Sequence, residues 1–176
     1  YKQRASVRLE CTESAATLTG TRMKVRATAS KQGIAIALEN LAGRTIAEVG
    51  KLQVAGYLKT TDNHSVLMKV SPSEKFYGLG QRFFSLNHRG RDITLRNVDI
   101  FLQPEDYGYF SIPFFFSSGG YGVFYNNTWP SRFRFGTEAA DQVSFESPGP
   151  NCDFFLIYGP EPRRILGEYL RLTGLP

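Results

Sequence analysis

Three phenylalanines in a row, Phe114-Phe115-Phe116, constrain this chain more than any other feature. They end a dense apolar run from Tyr109, and a second such run, Tyr121–Tyr125, follows closely. Successive side chains of a strand point to opposite faces, so an unbroken apolar run leaves no face for water. The run therefore reads as a strand buried on both sides, one against a facing sheet and the other against a further partner. Aromatic residues favour strands and bury large areas, and 14 Phe and 9 Tyr bring the aromatic share to 14%. The fold class expected is all-β and mainly antiparallel, a two-sheet β-sandwich of supersandwich type.

The first half supports this with a different pattern. Val7, Leu9 and Cys11 alternate with polar neighbours, as do Met23, Val25 and Ala27, and then Ile34, Ile36 and Leu38. Period two puts one face on a core and the other in water. Turn signals at Thr19-Gly20, Lys31-Gln32-Gly33 and Ala42-Gly43 separate these segments at meander spacing. Further strands are expected near Leu52–Leu58, Val66–Val70, Ser131–Phe135, Val143–Glu146 and Asp153–Tyr158, with an irregular polar loop between Arg96 and Tyr109. A short helix closes the chain. Pro160-Glu161-Pro162 opens it, Ile165, Leu166, Tyr169, Leu170 and Leu172 recur at helical spacing, and Gly174 stops it. No repeat or linker interrupts the sequence, which reads as one domain over residues 1–176.

The same residues argue against several functions. A net charge of +5 is spread along the chain, without the basic block or helical stripe of a nucleic-acid binder. Arg82, His88, Arg89, Arg91 and Arg96 come nearest to a cluster, and their expected role is a solvated strand edge. No apolar run reaches the roughly 18 residues that a membrane span needs. No signal peptide opens the chain, so a cytoplasmic setting is expected. A secretory one stays open, because the chain starts within plausible structure. Cys11 and Cys152 stand at opposite ends and are expected to be reduced, buried thiols. No metal-ligand spacing, nucleophile elbow or phosphate loop is present, so no metal and no cofactor are expected. The glycines of Phe76-Tyr77-Gly78-Leu79-Gly80-Gln81 read as a strand end. Glycosidase chemistry needs two opposed carboxyl groups, one protonated and one ionised. Asp92, Asp99, Glu105 and Asp106 form the tightest acidic group, and nothing marks a pair among them as catalytic.

From residue 74 onward the chain resembles glycoside hydrolase family 31, the α-glucosidase and α-xylosidase family. Four segments carry the resemblance: Phe76-Tyr77-Gly78-Leu79-Gly80-Gln81; Asn87-His88-Arg89-Gly90 with Leu95-Arg96-Asn97-Val98-Asp99; Ser111-Ile112-Pro113-Phe114-Phe115-Phe116 with Gly120-Tyr121-Gly122-Val123-Phe124-Tyr125-Asn126-Asn127-Thr128; and Tyr158-Gly159-Pro160 through Leu172-Thr173-Gly174-Leu175-Pro176. The resemblance implies a non-catalytic, galactose-mutarotase-like N-terminal sandwich whose barrel starts after the last segment. The nucleophile and the acid/base of such enzymes lie in the barrel. This chain is therefore expected to carry no catalytic residue and to have a carbohydrate substrate and a catalytic barrel of the same polypeptide as partners. Gln81 and Arg96 depart from the family pattern, which has Glu and Trp there.

By the same resemblance the loop after Arg96 walls the sugar site. Asp99 is the first candidate for a sugar-hydroxyl contact and Asn97 the second, since carboxylates and amides pair well with vicinal hydroxyls. The alternatives are a turn cap for Asp99 and loop support for Asn97. Phe101, Tyr107, Tyr109 and Trp129 are expected to pack rather than to meet a ligand. The helix, through part of its Ile165, Tyr169 and Leu172 stripe, is expected to add to an exposed apolar patch. Two other functions stay open: a stand-alone carbohydrate-binding module, and an epimerase of mutarotase type, for which only His64 and His88 offer a general acid or base.

Overall fold

The computed structural model describes residues 7–31, 33–53, 64–98, 108–149 and 152–175. Thirteen strands and one helix are present among them. The chain opens with a meander of β1 (Arg8–Cys11), β2 (Ala15–Thr19), β3 (Met23–Ser30), β4 (Gly33–Asn40), β5 (Thr45–Gln53) and β6 (His64–Lys69). It then alternates between sheets through β7 (Phe76–Gly78), β8 (Asp92–Leu95), β9 (Phe114–Ser117), β10 (Tyr121–Tyr125), β11 (Ser131–Phe135), β12 (Gln142–Ser147) and β13 (Phe154–Tyr158). Helix α1 (Pro162–Thr173) follows. The larger sheet has nine strands in the order β1-β2-β3-β4-β5-β6-β12-β11-β8, and the smaller has four, β13-β10-β9-β7. Every strand pair is antiparallel. The expected β-sandwich is what forms.

Local chemistry sets the turns. At the β4–β5 turn, Asn40 Oδ1 accepts from Arg44 N at 2.9 Å, and Gly43 takes a left-handed φ of 83°. Strand β5 starts at Thr45, seven residues before the expected segment, whose remainder lies outside the described residues. A register shift between Val49 and Lys51 explains why its alternation is hard to read: Gly50 sits in a bulge.

The triple-Phe strand is covered on both faces, as its sequence requires. Phe115 points into the space between the sheets, fully buried, with its ring edge-on to Phe133 and Phe135 at centroid distances of 6.1 and 5.2 Å. Phe114 and Phe116 point to the opposite face. There Tyr169 of α1 stacks on Phe114 at 4.1 Å, and Ile165, also fully buried, fills the gap above Gly122. Part of the helix stripe, Leu172, adds to an exposed apolar groove as expected. Ile165 and Tyr169 cover the small sheet, and only Leu166 and Leu172 of the apolar set are exposed.

The mismatch of nine strands against four has a visible consequence. Leu9, Leu18, Val25, Leu38 and Ala47 are register partners in one row across β1 to β5. Along that row exposure is 61% at Leu9 and 43% at Leu18, and falls to 1% at Leu38 and 2% at Ala47. The pattern is apolar throughout, but the small sheet runs out before the row does. The exposed end borders a groove of about 600 Å³, lined by Val7, Leu18, Val25, Phe155 and Leu172 among others. Cys11 lies on this overhanging edge and is exposed, which corrects the expectation of a buried thiol; Cys152 is partly buried, and both are free.

Candidate functional site

The corner where the large sheet ends at β8 and β11 carries the residues that the sequence singled out. Leu95 pairs with Ser131, the first residue of β11, and is nearly buried. Beyond it the chain turns outward, so Arg96 and Asn97 are exposed. Asn97 Oδ1 accepts from Ser111 N at 2.9 Å, and Asn97 also forms an isolated parallel bridge with Gly108. These contacts tie residue 97 to residues 108 and 111. Residues 97 and 108, which flank the stretch that contains Asp99, thus meet at one neck. Asp99, Phe101 and Tyr107 lie outside the described residues.

Glycines and a strained turn build the other side of the neck. Gly78, Leu79 and Gly80 all have positive φ, at 125°, 62° and 79°. Leu79 is fully buried and donates its N–H to Phe114 O at 2.8 Å, which holds this costly backbone in place. A Cβ at Gly80 would come within 2.2 Å of Phe110 O, and one at Gly108 within 2.7 Å of Gln81 O. The glycine pair is a strand end, and its purpose is close approach of this turn to the neck. Arg82 adds a bond from Nη2 to Ser111 Oγ at 3.2 Å.

A third segment completes a cleft of about 470 Å³, lined by Arg96, Asn97, Ser111, Asn127, Thr128 and Trp129 together with Leu95, Pro113, Pro130 and Ser131. Asn127 Oδ1 accepts from Trp129 N at 3.0 Å and from Ser131 Oγ at 3.2 Å, an Asx turn that lifts residue 129 out of the strand. Pro130 favours extended backbone at the residue before it. One face of the Trp129 indole lies against Gly149, where a Cβ would come within 2.7 Å of Cδ1, 3.1 Å of Nε1 and 3.2 Å of Cγ, yet the residue remains 51% exposed. The packing expected of Trp129 is present on that face, and the residue also lines the cleft. Asn127-Thr128-Trp129-Pro130 held the signal, since Asn and Pro flanking an aromatic mark a projecting turn.

The basic cluster does not form a solvated edge. His88 is buried, and its Nε2 donates to Gly78 O at 2.9 Å, which fixes the tautomer. Burial lowers its pKa, with the nearby Arg82 and Arg91 charges acting in the same direction, so the ring is held neutral. The Arg89 guanidinium lies over the Phe76 ring and donates to Ala140 O, and Arg91 lies over Phe84 at 4.3 Å. Asn87 Oδ1 accepts from the backbone N–H groups of Phe76 and Arg89. The Asn87–Gly90 segment is thus the anchor of β7. Of the cluster, only Arg96 lines the cleft.

Carboxylates are committed elsewhere. Asp92 makes a two-pronged ion pair with Arg132, at 2.8 and 2.5 Å, and Arg134 bonds Glu146 at 2.6 Å. Glu74 accepts from Ser117 and from the buried Tyr121 hydroxyl, each at 3.0 Å. Burial and this carboxylate raise the Tyr121 pKa well above its ordinary value. Among the described residues the cleft has no carboxylate in its lining. Among the described residues no group of three or more His, Cys, Asp or Glu is placed to hold a metal ion. His64 is buried with both ring nitrogens unpartnered, and lies far in sequence and pairing from His88.

Comparison with known proteins places this architecture. The glycosyl hydrolase 31 N-terminal galactose mutarotase-like domain matches residues 2–133. The α-xylosidase XylQ of Lactiplantibacillus pentosus is 40% identical over 107 residues, 61% of this chain and 14% of that protein. α-Glucosidase 2 of Bacillus thermoamyloliquefaciens is 30% identical over 165 residues, 88% of this chain and 21% of that protein. The chain therefore spans a small part of these relatives. The solved structure of a Flavobacterium johnsoniae GH31 dextranase, complexed with isomaltotriose, superposes with a TM-score of 0.81 at 26% identity, over 97% of this chain and 21% of that one. Sequence motifs, two-sheet architecture and a match over most of its length agree: the chain belongs to the N-terminal galactose mutarotase-like domain family of glycoside hydrolase family 31.

Proposed function

We propose that residues 1–176 act as one non-catalytic domain of a retaining, α-glucosidase-like glycosidase. It packs on the catalytic barrel of the same polypeptide and offers the loop 98–107 to the sugar site. The observation that carries this reading is the neck. Asn97 Oδ1 bonded to Ser111 N and the Asn97–Gly108 bridge hold both ends of that loop at one rigid corner. A contact residue gains most when its backbone is fixed before the sugar arrives. Asp99 then accepts hydrogen bonds from sugar hydroxyls. Asn97 serves the same site, positioning the loop through Oδ1 and facing the cleft with its exposed amide. The overhanging apolar row and the groove beside Leu172 give the barrel a surface to cover, and relatives several times longer supply the chain to cover it.

The test is kinetic, in the polypeptide that carries the barrel. Asp99→Asn is expected to lower kcat/KM for an aryl α-glycoside by about 10- to 100-fold, the value of one charge-assisted hydrogen bond, with an unchanged melting temperature. The 176-residue chain alone is expected to hydrolyse nothing. Wild-type kinetics in Asp99→Asn, or turnover by the chain alone, would overturn the reading.

A further inference from the structure

The geometry points to a second carbohydrate-binding surface in the cleft itself, with Trp129 as a platform for an oligosaccharide rather than for a single sugar. The inference rests on the sugar role proposed for this corner and extends it to the cleft that Arg96 and Asn97 line.

Three observations meet in the cleft. The first is the Trp129 indole, half-exposed although the backbone and one ring face are fixed by Asn127, Ser131 and Gly149, which leaves the opposite face to the cleft. An exposed aromatic that is already immobile offers a flat apolar face at little cost in ordering. Pyranose rings present apolar C–H faces that match it. The second is the kind of polar group around it. Asn97, Asn127, Ser111 and Thr128 provide amides and hydroxyls, which both donate and accept, as sugar hydroxyls do. Arg96 adds a guanidinium with no hydrogen-bond or ion-pair partner among the described residues, so its donors are free for hydroxyl oxygens. The third is what the lining lacks. Among the described residues the lining contains no carboxylate. Among the described lining residues the apolar members other than Trp129 are the buried Leu95 and two prolines, so apolar surface is small beside the polar groups. A volume of about 470 Å³ exceeds what one monosaccharide fills and falls within the range of small-molecule sites.

Trp129 is the only tryptophan of the chain, so intrinsic fluorescence reports on the cleft alone. The 176-residue chain is titrated with glucose, maltotriose and isomaltotriose, with glycerol at equal concentration as a control. The expected result is a saturable change in emission with a trisaccharide Kd in the millimolar range, about tenfold tighter than for glucose. Calorimetry on Trp129→Ala should show that binding lost, with the melting temperature kept, and Arg96→Ala should weaken it. Emission that stays unchanged up to about 100 mM of every sugar, or that follows glycerol equally, overturns the inference. So does trisaccharide binding that survives in Trp129→Ala. Asp99→Ala separates this inference from the loop reading: loss of the tryptophan signal in that variant makes the cleft part of the loop site and sinks the second surface. An intact signal, together with impaired turnover of Asp99→Ala in the longer polypeptide, supports both.

Discussion

Replacing Gly80 by alanine tests whether the left-handed turn after β7 holds the neck. Gly80 has φ 79°, and an L-residue in that conformation costs about 1–2 kcal/mol. The added Cβ would also lie 2.2 Å from Phe110 O and 2.9 Å from Ile112 N. Both are backbone atoms, so no rotamer change relieves the overlap; the neck must move by about 1 Å to reach ordinary contact. That shift strains the Gln81 N–H to Phe110 O bond, now 2.9 Å, whose loss costs about 0.5–1.5 kcal/mol. The total is about 1.5–3.5 kcal/mol, a fall in melting temperature of roughly 3–14 °C for a domain of this size. Gly43→Ala is the control. Its φ is 83°, but nothing lies within 4 Å of the new Cβ, so only the conformational part of about 1–2 kcal/mol applies. Urea melts of the two variants should therefore differ clearly, with Gly80→Ala the worse. Equal losses, or a Gly80→Ala loss below about 1 kcal/mol, would refute the crowding argument.

Gly167 sits within α1 with no atom within 4 Å of an added Cβ, so Gly167→Ala should stabilise the chain by about 0.5–1 kcal/mol in the same melts. The lowered His88 pKa has a definite sign. Its contribution to stability is complete above the ordinary value of 6.5 and is lost as pH falls below it, because the unfolded chain takes up the proton first. Unfolding measured from pH 7.5 to 5.5 should decline more steeply for wild type than for His88→Gln; identical slopes would contradict a neutral buried ring. In the groove beside α1, Leu18→Lys and Leu172→Lys should each reduce binding of an apolar dye to the 176-residue chain. Dye binding to the barrel-bearing polypeptide should be weak from the start, and strong binding there would mean that the groove stays uncovered.

Legibility in the sequence followed the range of the interactions. Phe114-Phe115-Phe116 announces a strand covered on both faces, because each side chain's direction is set by its immediate neighbours. What covers the outer face was not legible: Tyr169 reaches Phe114 only after the chain has passed through four further strands. The period-two set of β1 to β3 gave strands correctly but overstated burial, since Leu9 and Leu18 depend on how far the opposite sheet extends. At the candidate site, the family resemblance brought attention to the Arg96–Asp99 segment. The support given by Asn97 to Ser111 was one of two readings that sequence left open, and the geometry makes that bond explicit. Trp129 packs on Gly149 as expected, but its half-exposure was not legible, because the Asx turn of Asn127 and the following Pro130 project it outward. The basic cluster was misread. Arg89 and Arg91 find aromatic faces that no spacing rule reveals.

The central claim is that Asn97 and Asp99 act through one loop fixed at one neck. A double-mutant cycle on kcat/KM in the barrel-bearing polypeptide, with Asn97→Ala, Asp99→Ala and the pair, addresses it directly. The expected result is strong coupling: Asn97→Ala impairs the wild-type enzyme but costs little more once Asp99 is gone. Two effects that simply add would show that the residues work independently, and the neck would then have no part in presenting Asp99 to the sugar.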